Sequence, residues 1–382
     1  MSAPAIRHPG ELRWETRALT LVVAVLVVFG LAEVYGAASF VTSRSGANLG
    51  LNYALKQLMG AVLGALLLAW AARTDYHRWR DWAWPMLGGA ALLLLIPLLP
   101  FTHAISPTLN GARRWIRLGP LSMQPSEVAR VVVVMWCAML AAKKGAQVRN
   151  FKKGVVPFLV GIGFIALLIL LEPNLSMATL VALLGCTVLF TAGAKIGHFM
   201  LLGFGGLLVV WHKIASTGFR SERMKVFLNA DAASDAAFQI HNSLVGIGSG
   251  RLVGVGFGEG QQKLGYLPYA YSDFVFSTIA EEWGFVGVCL VVALFTLFCW
   301  LGFRIARTAP DAFGQFLAAG LTCTVGITAF MHMAVSLGLM PTTGLTLPFV
   351  SYGGSSLVIS LVGTGILVNI GRLRGKPVRD DG

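Results

Sequence analysis

The sequence predicts an all-α polytopic membrane protein with about ten transmembrane helices. Three observations lead to this prediction. The 382 residues are 56% hydrophobic and 12% charged, whereas soluble domains carry about 25% charged residues. Several apolar stretches reach the roughly 18 to 20 residues that an α-helix needs to cross a bilayer. The short alternating segments of an outer-membrane β-barrel do not occur, so the spans are helical.

Apolar runs separated by Gly, Pro and charged residues define the predicted spans. The spans are residues 18–37, 52–72, 83–100, 124–142, 155–171, 175–193, 196–214, 278–303, 313–337 and 354–371. The first run is not followed by a small-residue cleavage site, so we interpret it as a retained span. We expect residues 1–382 to form one transmembrane domain, because the sequence contains no internal repeat and no soluble catalytic domain.

Basic residues predict how the helices are oriented. The chain carries a net charge of +13, and its Lys and Arg residues cluster before the first span, after the second, fourth and eighth spans, and in the tail. Under the positive-inside rule these clusters are cytoplasmic. Both the N-terminal segment 1–17 and the tail 372–382 are therefore predicted to be cytoplasmic. Membrane topology explains the charge, so we predict no nucleic-acid partner.

The opposite side of the membrane receives the long loops. Residues 215–277, between spans seven and eight, form a loop of about sixty residues, a length that is uncommon unless a loop is functional or disordered. Aromatic and aliphatic residues with spaced glycines are not typical of disorder. We therefore expect a large ordered extracytoplasmic loop that caps the bundle.

Metal and disulfide chemistry is not indicated. The five cysteines all lie in apolar runs and form no C-x-x-C pair, so they predict neither zinc binding nor a disulfide framework. His332 has no second histidine or acidic cluster at metal spacing. We interpret His332 as a buried residue that forms hydrogen bonds.

Residues 110–130, "NGARRWIRLGPLSMQPSEVAR", contain two groups of candidate binding residues. Arg113 and Arg114 flank Trp115, and guanidinium groups bind phosphate oxygens in pairs, which suits a lipid-linked diphosphate. Anchoring of these residues at the membrane interface is the alternative. Glu127 and Arg130 are three residues apart on one helix face and are predicted to pair. Their pair is either structural or part of a binding cavity.

Residues 265–285, "GYLPYAYSDFVFSTIAEEWGF", place Asp273 just before an apolar run. A partly dry setting would raise the pKa of Asp273, and such a carboxylate can act as general base toward a sugar hydroxyl. The alternative is an aspartate that caps the helix N-terminus. Glu281 and Glu282 lie inside the span, so we expect them to bond to neighbouring helices or to backbone amides.

Two segments rich in glycine predict bent backbone close to the bundle. "GIGSGRLVGVGFGEG", residues 246–260, matches no nucleotide-binding motif and is interpreted as a re-entrant loop. Lys263, just beyond it, either meets an anion or extends toward the interface. "GLMPTTGLTLPFVSYGGSSLV", residues 338–358, has two prolines and is predicted to line a cavity.

Three separated stretches together resemble the SEDS family (shape, elongation, division and sporulation proteins), which includes FtsW, RodA and SpoVE. They are "NGARRWI…LGPLSMQPSEVAR", "GIGSG…GVGFGEGQQKLGYLP…SDFVFSTIAEEWGFVG" and "PTTGLTLPFVSYGGSSL". The resemblance covers nearly the whole chain and is closest to FtsW. It implies a peptidoglycan glycosyltransferase that polymerises lipid II during cell division or elongation.

The resemblance also assigns roles to residues. The family's essential aspartate lies in an "HTDF" motif that matches "YSDF" here, so Asp273 is the implied catalytic base. The implied substrate-binding residues lie in the matched motifs and are Arg113, Arg114, Trp115, Glu127, Arg130, Lys263, Ser351 and Tyr352. This chain departs from the family pattern at Tyr269, at Tyr271 and at Arg130, which stand where the family has Glu, His and Lys.

The resemblance further implies the setting of the reaction. Lipid II and the growing glycan strand are the implied substrates, a class B penicillin-binding protein is the implied partner, and the bacterial cytoplasmic membrane is the implied location. The resemblance implies no certain cofactor, and a divalent cation (Mg or Mn) is a candidate. A lipid II flippase and a non-catalytic scaffold of the cell-wall synthesis complex remain as alternatives.

Overall fold

The computed structural model describes residues 14–43, 49–108, 111–119, 121–215, 223–224, 226–227 and 235–373. Helices dominate these residues, with one short hairpin of strands β1 (Ile116–Leu118) and β2 (Leu121–Met123). The helices are α1 (Trp14–Ser43), α2 (Leu49–Ala71), α3 (His77–Asp81), α4 (Ala83–Leu95), α5 (Pro125–Lys144), α6 (Val156–Leu171), α7 (Leu175–Thr191), α8 (Ile196–Ala215), α9 (Asp235–Ser249), α10 (Val275–Arg307), α11 (Ala312–Ser336) and α12 (Gly354–Arg372).

The apolar helices agree with the predicted spans. Within the described residues, eight helices are long and apolar enough to cross a membrane, and Ala83–Leu98 and Leu175–Thr191 are apolar but shorter. These ten segments overlap the ten predicted runs, and the prediction of an all-α membrane protein is confirmed. The number of helices that actually cross the bilayer stays a prediction.

Helix ends differ from the predicted ones where local chemistry intervenes. The third span is α-helical only to Leu95 and continues as 3₁₀ turns at Ile96–Leu98 and Pro100–Thr102. Pro97 and Pro100 lack the N–H that a continuing α-helix would need. Helix α10 begins at Val275 rather than at residue 278 and continues to Arg307.

Helix α5 is the centre of the bundle. It is buried almost continuously from Pro125 to Ala141 and packs against α4, α7, α11 and α12. Its sequence "VARVVVVMWCAMLAA" has no polar face, which is typical of a helix enclosed on all sides. Helix α8, in contrast, has no buried residue and lies at the edge of the bundle.

Helices α2 and α12 approach each other closely through glycines. A Cβ atom at Gly365 would lie 2.5 Å from the backbone oxygen of Leu68, and one at Gly64 would lie 2.4 Å from a methyl carbon of Leu361. Small residues allow the backbones of membrane helices to come this close. The contact places the middle of α2, at Gly60, beside Gly354 at the N-terminus of α12.

Helix α10 is broken at Gly284, whose φ of 63° and ψ of −159° lie outside the helical region. The predicted re-entrant loop is wrong for residues 246–249, which form the end of helix α9. Residues 251–256 fill the break in α10 by supplying partners to the backbone groups that the break exposes. The bonds are Val255 N–H to Glu281 O (3.0 Å), Gly256 N–H to Glu282 O (3.1 Å), Phe285 N–H to Arg251 O (2.9 Å) and Val286 N–H to Leu252 O (3.1 Å). Irregular backbone at membrane depth requires such partners.

Substitution of Gly254 by alanine is expected to destabilise the fold. Gly254 has a φ of +83°, and a Cβ atom there would lie 2.1 Å from the Glu282 carbonyl oxygen. Positive φ in a non-glycine residue alone costs roughly 1–3 kcal/mol. Thermal unfolding of purified Gly254→Ala should therefore occur at a clearly lower temperature than that of the unsubstituted protein.

The matched control is Gly248→Ala, because a Cβ atom at Gly248 would meet no atom within 4 Å. Gly248 is an exposed helical residue, where alanine is favoured over glycine by about 0.5–1 kcal/mol. Equal unfolding temperatures for the two variants would contradict the role assigned to the break.

Candidate functional site

Asp273 lies at the start of α10 but does not cap it. The residue at the N-cap position is Phe274, and no side chain bonds to the free amides of the first turn. The capping alternative is therefore wrong. The backbone N–H of Asp273 instead bonds to the carbonyl oxygen of Tyr269 at 3.0 Å, and Tyr269 has a φ of 57°. The aspartate thus ends a tight turn, and its side chain is half-buried.

The surroundings of Asp273 favour a proton on its carboxylate. Burial raises the pKa of Asp273, while the Ser272 hydroxyl and the positive charge of Arg223 oppose that rise. The Ser272 hydroxyl donates to Asp273 Oδ1 at 3.1 Å. A carboxylate with a raised pKa is a stronger base once it is ionised, and this property suits proton abstraction from a hydroxyl.

The loop before α12 passes directly beside Asp273. A Cβ atom at Gly344 would lie 3.7 Å from Asp273 Oδ2. The hydroxyl of Ser351 donates to the carbonyl oxygen of Ser272 at 2.7 Å, and the N–H of Tyr352 donates to the carbonyl oxygen of Tyr271 at 2.9 Å. The structure therefore brings Ser351 and Tyr352 together with the "YSDF" segment.

Three tyrosines pack against one another next to this turn. The ring centroids of Tyr53 lie 4.9 Å from those of both Tyr271 and Tyr352, and the latter two are 5.7 Å apart. Tyr53 comes from α2 and was not predicted as a site residue. No local pattern could indicate it, because its two partners are more than 200 residues away in the sequence.

The predicted pair of Glu127 and Arg130 is confirmed. Arg130 Nη2 lies 2.8 Å from Glu127 Oε2, and both side chains are buried. The same nitrogen donates to the hydroxyls of Ser356 at 3.3 Å and Ser360 at 3.2 Å on α12. Thr346 in the loop before α12 donates to Ser356 at 3.0 Å. A polar network thus connects the ion pair to the loop that borders Asp273.

Arg113 and Arg114 both donate hydrogen bonds to loops of the protein itself. Arg113 donates to the carbonyl oxygens of Ser106 and Leu99, both at 3.0 Å, and to the Thr102 hydroxyl at 2.7 Å. These bonds use three of its five N–H donors. Arg114 donates to the carbonyl oxygens of Glu172 at 3.0 Å and of Pro173 at 2.7 Å. Trp115 between them and the hairpin is half-buried. Binding of a diphosphate by these residues stays a prediction.

Lys263 forms a buried ion pair, so the anion that it meets is a carboxylate of the protein itself. Its Nζ lies 2.6 Å from Glu282 Oε1, and both side chains are almost fully buried. Glu282 also accepts the N–H of Gly258 at 2.9 Å, and Glu281 accepts the N–H of Gln261 at 2.8 Å. The prediction that the two glutamates bond to backbone amides is thus confirmed. Contact between Lys263 and substrate stays a prediction.

Two further charged residues near these groups were not predicted. Glu33 of α1 is fully buried and accepts the indole N–H of Trp283 at 2.7 Å. Arg223 belongs to the loop after α8, and its NH1 donates to the carbonyl oxygen of Thr342 at 2.9 Å. Glu33 could have been found from the sequence, because it is a single Glu within an apolar run. Ionisable residues in a span are usually functional or paired.

Binding of a divalent cation by the described part of the chain stays a prediction. Within those residues, no group of three or more His, Cys, Asp or Glu side chains lies close enough to hold a metal ion.

The structure places His332 with its Nδ1 atom 2.7 Å from the carbonyl oxygen of Leu345, in a buried position. His332 thus holds the loop before α12, in agreement with its interpretation as a hydrogen-bonding residue.

Comparison with known proteins gives consistent matches over nearly the full length. The probable peptidoglycan glycosyltransferase FtsW of Geobacter sp. strain M18 is 36% identical over 357 residues, which cover 93% of this chain and 96% of the relative. Stage V sporulation protein E of Bacillus subtilis is 36% identical over 356 residues, with coverages of 93% and 96%.

Solved structures with the same fold include a chain of a peptidoglycan synthase complex that coordinates polymerization and crosslinking. It superposes with a TM-score of 0.77 at 27% identity and covers 94% of this chain and 98% of its own. The rod shape determining protein RodA of Thermus thermophilus matches with a TM-score of 0.68 at 29% identity, with coverages of 94% and 97%.

The profile of the FtsW, RodA and SpoVE family, described as cell cycle proteins, matches residues 16–375. The chain therefore belongs to the FtsW/RodA/SpoVE family of cell cycle proteins.

Proposed function

We propose that this protein is a peptidoglycan glycosyltransferase that polymerises lipid II into glycan strands. Membership of the family and the similarity to relatives named as peptidoglycan glycosyltransferases support the reaction class. The observation that carries the proposal is the position of Asp273. Its carboxylate is held in a tight turn against the loop before α12, and burial raises its pKa.

In the proposed reaction, Asp273 accepts the proton of the GlcNAc 4-hydroxyl of one substrate. The hydroxyl oxygen forms a bond to the anomeric carbon of MurNAc in the other substrate, while the bond from that carbon to the diphosphate oxygen breaks. Polyprenyl diphosphate leaves with the electron pair, and the proton on Asp273 passes to solvent. An α-linked donor yields a β-linked product, so a single base suffices, unlike the carboxylate pair of glycosidases.

Basic side chains are proposed to stabilise the departing diphosphate. Arg113, Arg114 and Arg130 remain candidates because guanidinium groups bind phosphate oxygens in pairs. Positive charge placed where negative charge develops lowers the barrier, and a preorganised donor is worth more than a mobile one. No step is assigned to a metal ion.

The proposal places the reaction at the outer face of the bacterial cytoplasmic membrane, with both termini cytoplasmic. The basic clusters between the spans support this orientation. A class B penicillin-binding protein is the proposed partner. The similarity of this chain to a component of a complex that couples polymerization and crosslinking supports that partnership.

The substitution Asp273→Asn is expected to abolish polymerisation. Loss of a general base typically costs about 10²–10⁴-fold in rate, and the amide has nearly the same size as the carboxyl group. The measurement is gel analysis of glycan strands formed from lipid II by the purified protein in nanodiscs, with and without a class B penicillin-binding protein.

Glu259→Gln is the matched control, since Glu259 is an exposed acid of the same loop and should give unchanged product. Undiminished strand formation by Asp273→Asn would refute the base assignment. Transport of lipid II across vesicles without strand formation by the unsubstituted protein would favour a flippase instead.

The rate should fall in acid at a pH above the usual range for an aspartate. The base is active only when it is ionised, and burial raises the pKa of Asp273. Activity is therefore present above that raised pKa and is lost as the pH falls through it. A profile of kcat/KM against pH measures the position of this limb. A limb at the pKa of an ordinary exposed aspartate, about 3.9, would contradict the buried setting.

Variants of the Glu127 and Arg130 pair should separate structural from substrate-binding roles. Arg130→Met leaves a buried carboxylate unpaired, which typically costs about 3–5 kcal/mol. Combining it with Glu127→Leu removes both charges, so thermal stability should largely return. Strand formation should nevertheless stay low if Arg130 binds the diphosphate. Recovery of both stability and activity would show that the pair is only structural.

A further inference from the structure

Gln57 of α2 is completely buried, with no exposed side-chain area. Both polar atoms of its amide are in use. Gln57 Nε2 donates to the carbonyl oxygen of Ser351 at 3.0 Å, and Gln57 Oε1 accepts the backbone N–H of Gly353 at 3.2 Å. The amide thus holds two points of the loop before α12, on either side of Tyr352.

From this amide, a continuous series of hydrogen bonds and covalent links leads to the proposed base. The residue held by Gln57, Ser351, donates its hydroxyl to the carbonyl oxygen of Ser272 at 2.7 Å. Ser272 in turn donates its own hydroxyl to Asp273 Oδ1 at 3.1 Å. The Ser351 hydroxyl also accepts the N–H of Leu347 at 2.8 Å. Its orientation is therefore fixed by one donor and one acceptor.

The chemistry at position 57 is specific for an amide. One partner is a carbonyl oxygen and the other is an N–H, so the side chain must donate and accept at the same time. A carboxylate only accepts and an ammonium only donates. Leaving either backbone group without a partner in this buried place costs about 1–3 kcal/mol, and the loop would shift to recover the bond.

Other contacts confirm that the loop is held tightly from several sides. His332 of α11 lies 2.7 Å from the carbonyl oxygen of Leu345. On α1, a Cβ atom at Gly30 would lie 2.5 Å from the Cα atom of Val350, so α1 packs directly against the loop backbone. Among these contacts, the amide of Gln57 is the one that acts on Ser351 and Gly353.

We propose that Gln57 is a positioning residue that orients the Asp273 carboxylate through Ser351. It does not touch substrate. By fixing Ser351 it fixes the carbonyl group of Ser272, and with it the direction in which the adjacent Asp273 side chain meets the acceptor hydroxyl. This inference rests on the proposed function of Asp273 as general base.

The test is strand formation from lipid II by Gln57→Met, which keeps the length of the side chain and removes both hydrogen bonds. A small misplacement of a catalytic group can cost about 100-fold in rate. We expect kcat to fall about 10- to 100-fold, with a smaller change in KM for lipid II, because Gln57 bonds to none of the arginines proposed to bind the diphosphate. Gln315→Met, at an exposed glutamine of α11, is the matched control and should keep both constants.

A second variant keeps the inference testable if Gln57→Met does not fold. Gln57→Glu retains the acceptor for Gly353 and loses the donor to Ser351, so its kcat should also fall. Combined with Ser351→Ala, either Gln57 variant should lose no more activity than the more damaging single change, because both act on one series of bonds. The inference would be overturned if the loss of kcat in the double variant equalled the product of the two single losses. A kcat of the Gln57 variants equal to that of the control would also overturn it.

The outcome for Asp273→Asn separates this inference from the proposed function. If Asp273→Asn polymerises normally, the base assignment fails and the role of Gln57 fails with it. If Asp273→Asn is inactive while a folded Gln57→Met or Gln57→Glu retains full kcat, the base assignment stands and only the positioning role is refuted.

Discussion

Backbone groups exposed by a break in an apolar helix need partners within the protein, and the arrangement of residues 251–275 depends on how the break in α10 meets this need. The four bonds from residues 251–256 attach these residues to α10. The carboxylates of Glu281 and Glu282 extend the attachment to Gln261, Gly258 and Lys263. Because residues 251–263 are fixed to α10 in this way, the chain that follows reaches Asp273 from a rigid starting point.

The second constraint is that polar groups buried near Asp273 are linked rather than isolated. Gln57, Ser351 and Ser272 form one series of bonds, and Arg130, Ser356 and Thr346 form another. The first series passes through the loop between α11 and α12, and the second ends in it. A buried network of this kind is rigid when its members are satisfied and costly when one is removed. The loop can therefore hold a fixed position beside Asp273 even though it has no regular secondary structure.

Sequence patterns predicted the features that depend on neighbours along the chain. The apolar runs gave the positions of the helices, and the spacing of Glu127 and Arg130 gave their ion pair. Features that depend on distant partners were missed. Gln57 bonds to residues almost 300 positions away, and Tyr53, Glu33 and Arg223 likewise have distant partners. The capping role for Asp273 was wrong because the helix begins only after Phe274. The ion pair of Lys263 was not predicted, because its partner Glu282 lies 19 residues away in the sequence.

The fixed backbone also explains how the chain can differ from its family at Tyr269 and Tyr271. The turn at Asp273 is held through the carbonyl oxygens of Tyr269, Tyr271 and Ser272. A different side chain at either position leaves these bonds available. Tyr271 then takes part in a separate interaction, the packing with Tyr53 and Tyr352. Aromatic rings in such contact add to the stability of their surroundings. Tyrosine at position 271, where the family resemblance leads to the expectation of histidine, therefore retains the frame around Asp273 and places a phenol there instead of an imidazole.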